Sequence, residues 1–253
     1  MRIGVIVQKY SPSESEILRM ARSTTLTAQV PVAGNFAALK DNNFRLYFIG
    51  QLISTSGTWM QTVAQGYLVF QLTRSELWLG IIACAAGLPM LFIAPLAGVL
   101  VERLSRRRVL IATQTILMIL ALTLAFLVFT DTVELWHIVV LALGLGITNA
   151  FDAPARQTFI SDLVSSEHLQ GGIALNSIIV NGSRVLGPTI AGIILTLLGP
   201  AWCFFLNGIS YIAVILTMVL IRLQAHVPPT TPLEPLTQLR EGFSYVRQHP
   251  VVL

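Results

Sequence analysis

Long apolar runs separated by short polar joints dominate residues 44–223, and their length decides the class of fold. A helix rises about 1.5 Å per residue, so roughly 20 apolar residues cross the hydrocarbon core of a bilayer. Six runs reach that length: Phe44 to Phe70, Leu77 to Val101, Val109 to Phe129, Leu135 to Ile160, Ile173 to Leu198 and Ala201 to Leu223. Their length and lack of strict alternation exclude strands. The pattern predicts an all-α integral membrane protein: a tail over 1–43, a six-helix bundle over 44–223 and a linker over 224–253.

The polar positions inside these runs are informative because a span facing only lipid has no use for them. In the first run Gln51, Ser54, Thr58, Gln61 and Gln65 recur at helical steps, with Thr55 and Thr62 beside them. Hydrogen bonding between close helices is one reading of this stripe. Three glutamines on one face favour the other, a water-filled cavity wall. In the fifth run Asn176, Ser177, Asn181 and Arg184 share or flank one face, and Arg184, about 18 Å beyond Gly172, is expected near the bilayer midplane. A cation at that depth calls for an anion, carbonyls or water. Asp152 and Arg156 in the fourth run are spaced i,i+4 and share a face with Asn149 one turn earlier. They are either a structural ion pair near the inner interface or a charged coupling site on a translocation path. Pro154 between them removes a backbone hydrogen bond and is expected to bend the span.

Composition agrees with the pattern. Hydrophobic residues make up 54% of the 253 and charged ones 11%, against roughly 25% charged in a soluble domain; the mean hydropathy is +0.73. Basic residues then set the orientation. Arg2, Lys9, Arg19, Arg22, Lys40 and Arg45 precede the first run, Arg103, Arg106, Arg107 and Arg108 join the second to the third, and Arg222, Arg240 and Arg247 follow the sixth. Both termini are therefore expected in the cytoplasm. Trp78, Trp136 and Trp202 fall independently at the opposite interface. The pI near 9.4 reflects those arginines and anionic lipid contact, not nucleic-acid binding. Cys84 and Cys203 lie inside spans and are read as small packing residues, with no metal site or cofactor expected. In the first 43 residues "IGVIV" is too short for a signal peptide.

The stretch "GVLVERLSRRRVL", Gly98 to Leu110, resembles the signature of the major facilitator superfamily between its second and third spans. Gly98, Leu100, Arg103, Arg106 and Arg107 match, while Glu102 stands for the usual aspartate and Ser105 for the second glycine. A glycine there lets helices approach closely, and an acid followed by arginines at one interface suits a charge network that breaks when the protein changes conformation. "SRVLGPTIAG", Ser183 to Gly192, is similar to the bent fifth-helix motif of exporters in the superfamily through Gly187, Pro188 and Gly192, with Ser183 and Ala191 in place of glycines. The run ending "NAFDAPARQTFISDLV" resembles the fourth helix of the branch that exports siderophores and macrolides. In that branch an aspartate at the position of Asp162 joins the loop network. The tail "PLTQLREGFSYVRQHPVVL" resembles the amphipathic helix before a seventh span, with Leu236, Leu239, Phe243 and Val246 on one stripe.

The resemblance covers about Asn35 to Leu253. It implies the N-terminal half of a major facilitator fold, two inverted three-helix repeats, in a truncated, split or frameshifted transporter. It further implies proton-coupled export of a small amphipathic molecule across the cell inner membrane. Membrane lipids, the substrate and a second six-helix half, as a separate chain or a second copy, are the expected partners. The expected pathway residues are Gln51, Ser54, Thr58, Gln61, Gln65, Asn149, Asp152, Arg156, Asn181 and Arg184. Gly98, Glu102, Arg103, Arg106, Arg107 and Asp162 form the expected cytoplasmic gate. No phosphate-binding Gly-x-x-x-x-Gly-Lys run is present. Short inside loops disfavour the membrane half of an ATP-driven pump, and His137, His168, His226 and His249 are too scattered for a membrane-embedded enzyme. A non-transporting remnant or scaffold is the remaining alternative.

Overall fold

A computed structural model describes residues 37–164 and 168–221, apart from the side chains of Ala37, Glu102 and Arg103. The expected tail and the amphipathic linker helix lie outside the described residues. A short 3-10 turn, Ala37–Lys40, leads into α1 (Asn42–Thr73), α2 (Glu76–Arg103), α3 (Arg106–Phe129), α4 (Leu135–Leu163), α5 (Leu169–Leu197) and α6 (Pro200–Leu220). The ends follow local chemistry. Asp41 caps α1 by accepting from the Asn43 N–H at 2.8 Å, and α1 stops where Arg74 turns left-handed at φ 51°. Glu134 and His137 cap α4 reciprocally. α4 passes through Pro154 as one assigned helix.

Five of these helices, α2 to α6, are long and apolar enough to cross a membrane. α1 is 32 residues long, but its polar stripe dilutes its apolar content and it does not meet the same measure. The outer surface carries the side chains a lipid solvent selects: Leu91, Phe92, Phe126, Val185 and Leu197 are all more than 60% exposed. This is a multi-pass, helical membrane protein.

The packing is selective. α2 lies mainly against α4, and α5 against α1; α6 packs on α1 and α3, and α3 packs also on α4. Two glycines set the closest approaches. A Cβ on Gly146 would stand 2.2 Å from the Ala86 carbonyl oxygen, and one on Gly187 would stand 2.4 Å from the Trp59 Cβ. Here the structure corrects one expectation. A Cβ on Gly98 would meet no described atom within 4 Å, so the close approach expected there occurs elsewhere on α2, where Gly146 of α4 meets Ala86.

Along α1, α3, α4 and α6 the interior is layered. Toward one end, Phe44, Tyr47, Leu110, Phe159, Leu163 and Met218 belong to one apolar cluster. Toward the other, Met60, Leu68, Leu124, Ile138 and Phe204 belong to a second. In the order of each chain, buried polar residues fall between them: Gln51 and Ser54 on α1, Thr113 and Gln114 on α3, Thr148 and Asp152 on α4, Asn207 and Ser210 on α6. α2 and α5 cover the outside of this layered core.

Candidate functional site

Asp152 is the centre of the polar layer. It is 1% exposed, and a carboxylate taken that far from water must be compensated by donors and an opposite charge. Its Oδ1 accepts from Thr113 Oγ1 at 2.7 Å and from Gln114 Nε2 at 2.8 Å, both on α3. Its Oδ2 accepts from the Arg156 guanidinium one turn on. The i,i+4 spacing of the sequence thus forms a real pair. Thr113 and Gln114 were missing from the sequence reading, although they interrupt the otherwise apolar run "VLIATQTILMIL" and signalled a polar contact there.

The α1 stripe divides. Gln61 Oε1 accepts from Asn207 Nδ2 at 2.7 Å, and Thr58 Oγ1 and the Tyr211 hydroxyl share a hydrogen bond at 3.2 Å. Beside the stripe, Ser56 donates to Ser183 on α5 at 3.2 Å. These are the interhelical hydrogen bonds of the first reading. The second reading also finds support, because two cavities open beside the same stripe. One, of about 250 Å³, lies between α1, α2 and α4 and is lined by Thr58, Gln61, Thr62 and Gln65 among apolar side chains. The other, of about 160 Å³, is lined by Ser54, Thr55, Thr58, Asn149, Arg156 and Tyr211, with Leu117 and Leu145. Gln51 is fully buried near this region, and its Nε2 has no partner among the described residues. Asn207 and Tyr211, in the sixth run, were also missed; only their polarity in an apolar helix marked them.

The α5 residues do not join this cluster. Asn181 Nδ2 donates to the Ser177 carbonyl on its own helix at 2.9 Å. Arg184 is exposed on α5, its guanidinium 5.3 Å from the centre of the Trp59 ring. A cation over an indole face is attracted by the ring quadrupole, which satisfies part of what a carboxylate would. No hydrogen bond or ion pair among the described residues joins Arg184 to the Asp152–Arg156 pair, which the sequence placed on the same pathway.

At the other expected site Arg106 Nη1 lies 2.6 Å from Asp162 Oδ1 and donates to the Thr158 carbonyl at 3.2 Å, joining the start of α3 to the end of α4. Arg107 Nη2 donates to the Val219 carbonyl at 2.9 Å, joining α3 to α6. Glu102 and Arg103 have side chains outside those described. Among the described residues no group of His, Cys, Asp and Glu is placed to hold a metal ion. Cys203 is buried in the core and Cys84 is exposed on α2.

The geometry is that of a polar core inside a membrane bundle, and comparison with known proteins agrees. The family model for transmembrane secretion effectors matches residues 33–252. An uncharacterized MFS-type transporter of Bacillus subtilis, YfiS, is 26% identical over 80% of this chain and 49% of its own length. The staphyloferrin A transporter of Staphylococcus aureus is 26% identical over 70% of this chain and 45% of its own. The enterobactin exporter EntS of Shigella flexneri is 27% identical over 86% of this chain and 53% of its own. The chain spans about half the length of the curated relatives it matches.

Proposed function

Because the chain belongs to the transmembrane secretion effector family of major facilitator transporters, which are not enzymes, we propose that it supplies the first six spans of a secondary active exporter in the cell inner membrane. The observation that carries this reading is the buried Asp152–Arg156 pair, braced by Thr113 and Gln114, with Arg156 lining a polar cavity. In this reading α1 also spans, bringing the number to six; it is tolerated in lipid because its stripe faces the interior and the cavities, and both termini are cytoplasmic. The helix contacts support two inverted three-helix repeats. Exchanging α1 with α4, α2 with α5 and α3 with α6 turns the α2–α4 contact into α5–α1 and the α1–α6 contact into α4–α3, and returns α3–α6 to itself.

The driving ion is a proton taken up by Asp152. Protonation neutralises the carboxylate and loosens Arg156, which changes the electrostatics of the polar layer. The substrate is a small amphipathic molecule of the kind a siderophore exporter handles, as the names of two relatives suggest. A second six-helix half, on the same polypeptide or another, completes its path. The gate is the Arg106–Asp162 pair with Arg107; Gly98, Glu102 and Arg103 belong to it through the family resemblance of their sequence. Gly187, Pro188 and Gly192 mark the fifth-helix bend.

Reconstitution of the complete transporter in proteoliposomes with an imposed pH gradient tests this. Asp152→Asn is expected to abolish gradient-driven efflux while preserving substrate binding. Gradient-driven efflux unchanged in Asp152→Asn would remove Asp152 from coupling.

A further inference from the structure

The two cavities share two lining residues, Thr58 on α1 and Leu145 on α4. These two side chains stand at the boundary of both cavities, here called the neck. The outer cavity reaches Val69 and Leu79, toward the end of the bundle that holds Thr73 and Glu76. The inner one ends at Arg156. Beyond the pair, in the opposite direction, the apolar cluster of Phe44, Tyr47, Leu110, Phe159 and Leu163 closes the bundle.

The inner chamber is polar and under-satisfied. Thr55 Oγ1 and Arg156 Nε, on residues that line it, have no partner among the described residues. A space of about 160 Å³ holds on the order of five waters at ~30 Å³ each, and buried polar groups without protein partners are where ordered water is found. It is smaller than the ~300–1,000 Å³ that encloses an ordinary organic ligand. The wall of the neck is fixed by hydrogen bonds that run from Gln61 through Asn207 to Tyr211 and Thr58.

We propose that this inner chamber is a dedicated water and proton chamber, separate from the substrate's wall, which connects the Asp152–Arg156 pair with the Thr73/Glu76 end of the bundle through the Thr58–Leu145 neck. Arg156 is the member of the pair that lines the chamber; when it moves aside, a proton steps from a hydronium ion in the chamber onto the Asp152 carboxylate, leaving water behind, and returns by the same exchange. Arg156 on the same helix, Tyr47 from α1 and Tyr211 from α6 are the titratable or charged groups within electrostatic reach of that carboxylate, with neutral Thr113 and Gln114 on α3. Tyr211 braces Thr58 at the neck through their shared hydrogen bond.

The inference rests on the orientation and proton coupling proposed above, but its test reads access, not transport. In a background with Cys84→Ala and Cys203→Ala, Gln65→Cys reports the outer cavity and Asn149→Cys the inner chamber. Silver ion, a small thiophilic cation, is applied to the extracytoplasmic side of sealed vesicles, and protection from later alkylation after denaturation is read. Both cysteines are expected to be protected. Leu145→Trp is expected to slow protection of Asn149→Cys at least tenfold and leave Gln65→Cys unchanged, and Leu145→Ala is expected to speed it. Protection of Asn149→Cys from the cytoplasmic side alone, or protection indifferent to both substitutions at Leu145, overturns the proposal. If the protection pattern holds while Asp152→Asn retains coupled efflux, the chamber stands and the coupling role falls.

Discussion

Two ion pairs with the same chemistry, aspartate with arginine, sit in very different settings in this bundle. Asp152–Arg156 is local in sequence and deep in the structure, with the carboxylate's side chain 2% exposed. Arg106–Asp162 joins residues 56 apart in the chain at one end of the bundle, with side chains 19% and 26% exposed. The first carries a large desolvation penalty and is held by two extra donors; the second keeps access to water and can open and close at little cost. A buried pair stores the consequence of a proton, whereas a peripheral pair is suited to being broken and remade.

The largest expected effect is on the buried pair. Arg156→Leu leaves the Asp152 carboxylate uncompensated and is expected to cost about 3–5 kcal/mol, read by thermal unfolding in detergent. Asp152→Asn added to it is expected to restore much of that loss, and equal stability of the single and double variants would show that the charge is not the cause. Exchanging the partners sharpens the contrast. Asp152→Arg with Arg156→Asp turns the Thr113 and Gln114 donors toward a cation and is expected to lose roughly 1–3 kcal/mol for each stranded donor, whereas Arg106→Asp with Asp162→Arg is expected to unfold at nearly the native temperature. Arg106→Ala is expected to cost about 1 kcal/mol or less, an effect that shrinks as salt is raised. Smallest of all, Arg184→Ala removes an exposed cation–π contact and is expected to change stability by about 0.5–1 kcal/mol, with Trp59 fluorescence reporting its loss.

Much of the site was legible because it is local. Asp152 and Arg156 pair through the helical repeat, which spacing alone reveals. Asp162 and Arg106 were matched by family resemblance, and the structure puts them in contact. The α1 stripe was legible as a stripe but not in its use, since the same side chains serve hydrogen bonding at Gln61 and cavity lining at Gln65. Arg184 was read as a midplane cation on the same pathway as Asp152. Its placement over Trp59 depends on how α5 packs against α1.

The sequence by itself determined the solvent and the elements, because a run of apolar side chains long enough to cross a bilayer must close its backbone hydrogen bonds within itself as a helix. It also determined contacts one turn apart, since those need only the helix. Which helices touch was decided by tertiary structure alone. Thr113 and Gln114 meet Asp152, and Tyr211 meets Thr58, only because α3 and α6 pack across α4 and α1 at particular rotations, close where Gly144 faces Leu120 on α3 and Gly57 faces Asn207 on α6.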